Sequence, residues 1–133
     1  MLNYLDYEVL YNKEFLNILK DLIDSAKRRI YIATYIASVS RATEDIYYGI
    51  GAKYRDRLDI KIILNGTSQE ALKFNKTTKQ FLETIGVKNI KLTKKFMHIK
   101  LYIIDDYFII GSHNLSGAPL KKRYDISIID QNN

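Results

Sequence analysis

The sequence predicts an α/β domain: a mixed β-sheet flanked by helices, in the order β-α-β-α-β-α-β-β-β-β. Three observations carry this. Segments with apolar residues at helical spacing alternate with apolar, β-branched runs over the first two thirds of the chain. Four strand-like runs then follow one another. Alternation implies parallel strands with helical crossovers, and a run of strands implies antiparallel pairs, so the sheet is mixed. The length of 133 residues fits one domain, residues 1–133, with a sizeable core.

Tyr4 to Tyr11 is rich in aromatic and branched residues and predicts the first strand. Asn12 stands as an N-cap, and Phe15, Leu16, Leu19, Leu22, Ile23 and Ala26 follow at helical spacing. This amphipathic helix is expected to end in Lys27-Arg28-Arg29, because cations suit a helix C-terminus. Ile30 to Val39 has the pattern of a strand buried on both faces. Ser40 or Thr43 caps a second helix through Arg57, with Ile46, Ile50 and Tyr54 toward the core and Gly49 and Gly51 weakening its middle. Leu58 to Leu64 is another buried strand, stopped by Asn65-Gly66. Ser68 to Ile85 is a third helix, closed by Gly86 at C′. Lys88 to Thr93 is a short strand. Met97 to Ile104 and Phe108 to Asn114 form a hairpin across Asp105-Asp106-Tyr107. Leu115 to Lys122 is a loop holding the only proline, and Tyr124 to Ile129 is the last strand.

Composition excludes several classes. A chain that is 47% hydrophobic and 27% charged is not disordered. Without cysteine there is no disulfide, thiolate metal site or thiol nucleophile. Met1 to Glu8 lacks a basic n-region and carries acids where a signal peptide has its apolar stretch. No apolar run reaches the roughly 18 residues of a membrane span. A cytoplasmic location is therefore expected.

The net charge of +6 is unevenly placed. Residues 1–59 hold nine basic and nine acidic side chains, whereas residues 60–133 hold twelve and six. The excess in the second half suits an anionic partner, nucleic acid or an anionic lipid surface, as well as a plain solvated surface.

Both histidines, His98 and His113, fall in the expected hairpin. Residues i and i+2 of a strand share a face, so His98 and Lys100 project together from an otherwise apolar run. A lone histidine there is ordinary core, but a mid-strand lysine is expensive to bury without an anion beside it. Ser112 and Asn114 likewise share a face. A three-residue loop at 105–107 sets Lys100 opposite Ser112 and His98 opposite Asn114, whereas a two-residue loop sets Ser112 opposite Ile99. Chemistry therefore favours the longer loop or a bulge. Gly111 permits a close backbone or ligand approach. An imidazole, a fixed cation and two neutral hydrogen-bonders make a phosphate-binding inventory. No ligands are spaced for a metal, and there is no phosphate-cradling P-loop.

His98-Ile99-Lys100-Leu101-Tyr102-Ile103-Ile104-Asp105, followed by Gly111-Ser112-His113-Asn114, resembles the phospholipase D superfamily motif, HxKxxxxD then GSxN. The stretch from Leu19 to Tyr35 is similar to the helix and strand that open small members of that superfamily. Five residues separate Asp105 from Gly111 where the common pattern has six, and no helix follows the last strand where the family carries one.

The resemblance implies roles residue by residue. His98 is the nucleophile that forms a phosphohistidine. Lys100 and Asn114 bind phosphate oxygens, and Ser112 contacts the phosphate or supports those that do. Asp125 stands where the family carries an acid that orients the imidazole. Asp105 is a structural turn residue, and His113 fills the variable position and is not catalytic. A complete site needs two HxK motifs, so the resemblance implies a homodimer sharing one site. The implied activity is a phosphodiesterase without metal or other cofactor. Its implied substrate is nucleic acid, cut as by a small endonuclease, with DNA ahead of RNA. Lys94 and Lys95 on one side, and Lys121, Lys122 and Arg123 on the other, would grip the strand. The alternatives are a phospholipase or phosphatidyltransferase, and a catalytically silent nucleic-acid-binding module.

Overall fold

The protein is described by a computed structural model covering residues 7–11, 13–117 and 124–131. The elements are β1 (Glu8–Tyr11), α1 (Lys13–Ser25), β2 (Arg29–Thr34), α2 (Glu44–Arg55), β3 (Asp59–Leu64), α3 (Gln69–Thr84), β4 (Ile90–Leu92), β5 (Leu101–Ile104), β6 (Tyr107–Gly111) and β7 (Ile126–Gln131). Their order is the predicted one. They form one sheet with strand order β1-β7-β6-β5-β2-β3-β4. The strands β2, β3 and β4 run parallel, with α2 and α3 as crossovers; β5, β6, β7 and β1 are antiparallel to their neighbours.

One sheet face carries the core. Ile30 and Ile32 of β2, Ile60, Ile62 and Leu64 of β3, Tyr102 and Ile104 of β5 and Ile109 of β6 are buried there. Phe15, Leu19 and Ile23 of α1, Ile46, Tyr47 and Ile50 of α2 and Leu82 of α3 pack onto them. No helix among the described residues covers the opposite face, where Tyr11, Ile63, Ile110 and Ile126 are exposed. The expectation that β2 and β3 are buried on both faces is therefore corrected. Asp-Ile-Lys-Ile in β3 already alternates, and Asp59, Lys61 and Ile63 lie on the exposed side.

Several boundaries also differ from expectation; β5, expected from Met97, begins at Leu101, so His98 and Lys100 precede it on the loop after β4. β2 stops at Thr34 rather than Val39, because residues 35–38 leave the ladder to build a loop. α1 ends before Lys27-Arg28-Arg29, because the Asp105 carboxylate takes those backbone N–H groups at 2.8–3.2 Å. Thr43 flanks α2, but its hydroxyl donates to Ser38 O instead of capping the helix. Gly86, at φ +105, ends α3 as expected. Asn12 and residues 1–6, 118–123 and 132–133 lie outside the described residues.

The hairpin register is the main correction. Ile104 pairs with Tyr107 and Leu101 with Ile110, so the turn has two residues, Asp105-Asp106, and not three. Asp105 adopts φ +52, a left-handed conformation that aspartate tolerates better than most residues and that suits a tight hairpin turn. The ladder then ends at the motif. Gly111 N–H reaches Lys100 O at 3.4 Å, and Ser112 N–H turns to β7, donating to Ile126 O at 3.0 Å. Gly111 is needed at this crossing, since a Cβ would overlap Ile126 O and Ser127. Lys100 and Ser112 are therefore not cross-strand neighbours in a regular ladder.

Candidate active site

The motif residues meet at the carboxyl end of β2 by a different route. Beyond Gly111 the chain crosses the end of β5 and joins the residues after β2. Leu115 N–H donates to Ile36 O at 3.1 Å, and Ser38 N–H donates to Leu115 O at 2.9 Å. Tyr102 fixes the crossing by donating to His113 O at 2.8 Å. Burial raises the Tyr102 phenol far above its ordinary pKa, so it remains a donor. Carboxyl ends of parallel strands are the usual ligand sites of open α/β sheets.

Lys100 is only 7% exposed. Its Nζ lies 2.8 Å from His98 Nδ1 and 3.1 Å from Nε2. Both side chains rest on Tyr35, the first residue after β2. The Tyr35 and His98 rings are 4.5 Å apart, and the Lys100 ammonium sits 5.5 Å from the Tyr35 centroid. Tyr35 is in turn held by its hydroxyl against Ser68 Oγ at 2.6 Å, at the start of α3. Asn114, 8% exposed, is tied to the same place. Ile36 N–H donates to its Oδ1 at 3.1 Å, which fixes the amide so that the NH2 is the edge it can offer a ligand. His98, Lys100 and Asn114 thus converge on the segment 35–36 without strand pairing.

Ser112 and Asp125 form a pair on the β7 side. Ser112 Oγ donates to Asp125 Oδ1 at 3.0 Å and accepts from Ile126 N–H at 2.9 Å. His113 points into the core, stacked 4.6 Å from Phe15, with Nδ1 2.6 Å from Ser127 Oγ. Asp105 lies at the far end of β5, clamping the α1–β2 junction. Lys94 and Lys95 are exposed on the loop that leads into His98. Lys121, Lys122 and Arg123 lie outside the described residues. Among the described residues, no three His, Asp or Glu side chains gather as a metal site, and no helix is long and apolar enough to cross a membrane.

Sequence reasoning missed three supporting residues: Tyr35, Asn65 and Asn75. Asn65 is fully buried just after β3. It donates to Met97 O at 2.7 Å and accepts from Thr67 and Ser68 N–H at 2.9 and 2.8 Å, bracing the loop that carries His98. Asn75 of α3 accepts from Ala37 N–H and donates to Tyr35 O and Asn65 O, all at 2.8–2.9 Å. The signal was present. Ala71, Asn75, Thr78 and Leu82 make one buried stripe at helical spacing, with two polar residues in it. A buried asparagine on an apolar stripe marks backbone groups that need partners.

The arrangement can bind and attack a phosphate. It offers an exposed imidazole beside a buried ammonium and a buried, oriented amide, and the burial of those two groups strengthens their contacts.

A family model described as cardiolipin synthase, PLD-like domain, matches residues 19–133. The fold is similar to Nuc from Salmonella typhimurium, a phospholipase D family member, at TM-score 0.73 and 22% identity, covering 95% of this chain and 82% of that one. It is similar to NucT from Helicobacter pylori at TM-score 0.66 and 20% identity, covering 95% and 86%. Phosphatidylserine synthase from Haemophilus influenzae aligns at TM-score 0.73 and 18% identity, over 98% of this chain but 34% of that one. No curated protein matches the sequence. With the family model running from the second half of α1 through β2 to β7 and the His98–Asn114 motif, the chain belongs to the phospholipase D superfamily.

Proposed function

We propose that the protein is a metal-independent phosphodiesterase that cleaves nucleic acid through a phosphohistidine. The observation that carries this is the contact between His98 and Lys100, 2.8 Å apart on the Tyr35 ring with Asn114 fixed beside them. The basic second half of the chain, and Lys94 and Lys95 exposed beside the site, favour a polyanion over a lone headgroup.

A ring nitrogen of His98 attacks phosphorus, and the bond to the leaving oxygen breaks on the opposite side. Lys100 and the Asn114 NH2 bind the non-bridging oxygens as charge builds. The leaving oxygen needs a proton, and a single chain supplies one HxK histidine. A homodimer with its two-fold axis through the site supplies the second, from His98 of the partner subunit. Water protonates nothing in the first step. In the second, it loses its proton to that now neutral histidine as its oxygen bonds to phosphorus and the P–N bond breaks, releasing the phosphate product and free His98. Asp125, through Ser112, braces the β7 side of the site.

The test is incubation in excess EDTA with plasmid, single-stranded DNA, RNA and phosphatidylcholine vesicles, beside a His98→Ala control. Nucleic-acid cleavage that survives EDTA and drops by roughly three orders of magnitude or more in the control is expected. Strict dependence on a divalent ion, or turnover of phosphatidylcholine alone, refutes the proposal.

A further inference from the structure

The loop between β4 and His98 carries an aromatic side chain that the phosphodiester chemistry does not use. Phe96 is 66% exposed. Its ring lies 6.0 Å from the His98 imidazole with 15° between the planes, and 5.9 Å from Tyr35. The loop is braced along its length. Thr93 N–H donates to Leu64 O at 2.9 Å, Thr93 Oγ1 to Lys95 O at 2.7 Å, and Asn65 Nδ2 to Met97 O at 2.7 Å. An exposed phenylalanine is ordinary by itself. This one stands on a fixed loop, nearly parallel to the imidazole, and directly follows exposed Lys94 and Lys95. That combination suits a ligand with a flat apolar face joined to negative charge.

We infer that Phe96 is a stacking platform for one base of the substrate strand, next to the scissile phosphate, with Lys94 and Lys95 engaging the adjoining backbone. This rests on the nuclease reading of the same site and adds what the site selects. Base faces inside a duplex are covered by their neighbours, so only a splayed or unpaired base can lie on Phe96. The substrate class is therefore single-stranded or locally opened nucleic acid. Phenylalanine has no polar side-chain atom, so the platform reads a π-face and not a base identity. A lipid headgroup brings a phosphate but no planar partner. Insertion into a membrane calls for a ring projecting end-on past its neighbours, and this ring lies alongside His98 and Tyr35.

The experiment compares the intact chain with Phe96→Leu and Phe96→Trp. The ligands are a fluorescent single-stranded oligonucleotide, the same strand with abasic residues around the cleavage position, its duplex, and phosphatidylglycerol vesicles. Binding is read in a His98→Gln background and cleavage in the native one, with circular dichroism confirming the fold of each variant. Phe96→Leu should weaken binding of the intact single strand on the order of tenfold. It should leave the abasic strand and the duplex unchanged, and Phe96→Trp should restore binding. Equal losses on intact and abasic strands, or no loss on either, would overturn the platform. So would a Phe96 dependence confined to vesicles. A chain that binds the intact strand through Phe96 but cleaves nothing refutes the nuclease reading and keeps the platform. A chain that cleaves single strands regardless of Phe96 and of the base does the reverse.

Discussion

Replacing Asp105 by asparagine should destabilise the fold at neutral pH and do so progressively less in acid. The carboxylate accepts three backbone hydrogen bonds, from Lys27 to Oδ2 at 2.9 Å and from Arg28 and Arg29 to Oδ1 at 2.8 and 3.2 Å. Asparagine has a similar size and tolerates the left-handed φ of +52. Its Oδ1 can still serve Arg28 and Arg29, but its NH2 faces the Lys27 N–H. One charge-assisted bond is lost and two become neutral, at positions that water partly reaches, so the expected loss is about 1 kcal/mol. Alanine loses all three bonds and tolerates the turn poorly, for a loss of about 2–3 kcal/mol. Partial burial pushes the Asp105 carboxyl up, but the three backbone donors and the nearby Arg28 guanidinium pull it down further, so its pKa lies below the ordinary value. A depressed folded-state pKa means that the stabilisation is complete above the unfolded value of about 4 and disappears as pH falls through the folded one. Urea unfolding at pH 7 and near pH 2.5 reads both effects. At pH 7 the midpoint should fall by about 0.5 M for a slope of about 2 kcal/mol per molar. An unchanged midpoint at pH 7, or a gap that persists in acid, refutes the clamp.

Other outcomes follow from the same geometry. Asn65→Ala strands Met97 O and the Thr67 and Ser68 N–H groups, and should cost about 2–3 kcal/mol in a thermal melt while lowering kcat. Asn65→Asp keeps the acceptor and loses only the donor to Met97 O, so its defect should be mainly in kcat; equal defects in both variants would contradict this. Titrating native chains with His98→Ala chains should lower activity more steeply than in proportion to the native fraction, because a heterodimer keeps only one of the two histidines the site needs, and a fully active monomer at nanomolar concentration would refute the shared site. Binding to single-stranded DNA should fall linearly on a log–log plot against salt, and a flat response would assign Lys94 and Lys95 to a mere solvated surface.

What was legible in the sequence is what local periodicity encodes. Among the described residues, apolar spacing located the three helices to within a few residues, and apolar, branched runs located each strand, with β2 and β5 expected four or five residues longer than they are. Gly86 and the motif with its Gly111 were legible because their chemistry is local. The hairpin register was not. Its two-residue turn depends on Asp105 reaching backbone groups 76–78 positions away, and no short window contains both. The same contact removed Lys27-Arg28-Arg29 from the end of α1. Tyr35 was hidden for a related reason. Among Ile30, Ile32 and Ile36 it looked like one more strand residue, and only the early end of β2 turns its ring under His98 and Lys100.

The regular sheet ends just where the motif residues gather, and this raises the question of what holds His98, Lys100 and Asn114 in place. Strand pairing cannot do it, since Leu101 and Gly111 are the last ladder residues of β5 and β6. Side-chain amides take over. Asn75 bridges the segment after β2 to the end of β3, Asn65 carries the connection on to Met97, and Asn114 returns from the far side of β5 to Ile36. Each amide presents a donor and an acceptor as a peptide group does, so each acts as a rung of sheet between segments too irregular to pair. All three are buried, where an unmet polar group is costly, and each therefore enforces the loop conformation that satisfies it. An apolar substitution at any of them would fill the space and free the loops. Preorganisation at the end of β2 thus resides in three asparagines, of which only Asn114 belongs to the HxK…GSxN motif.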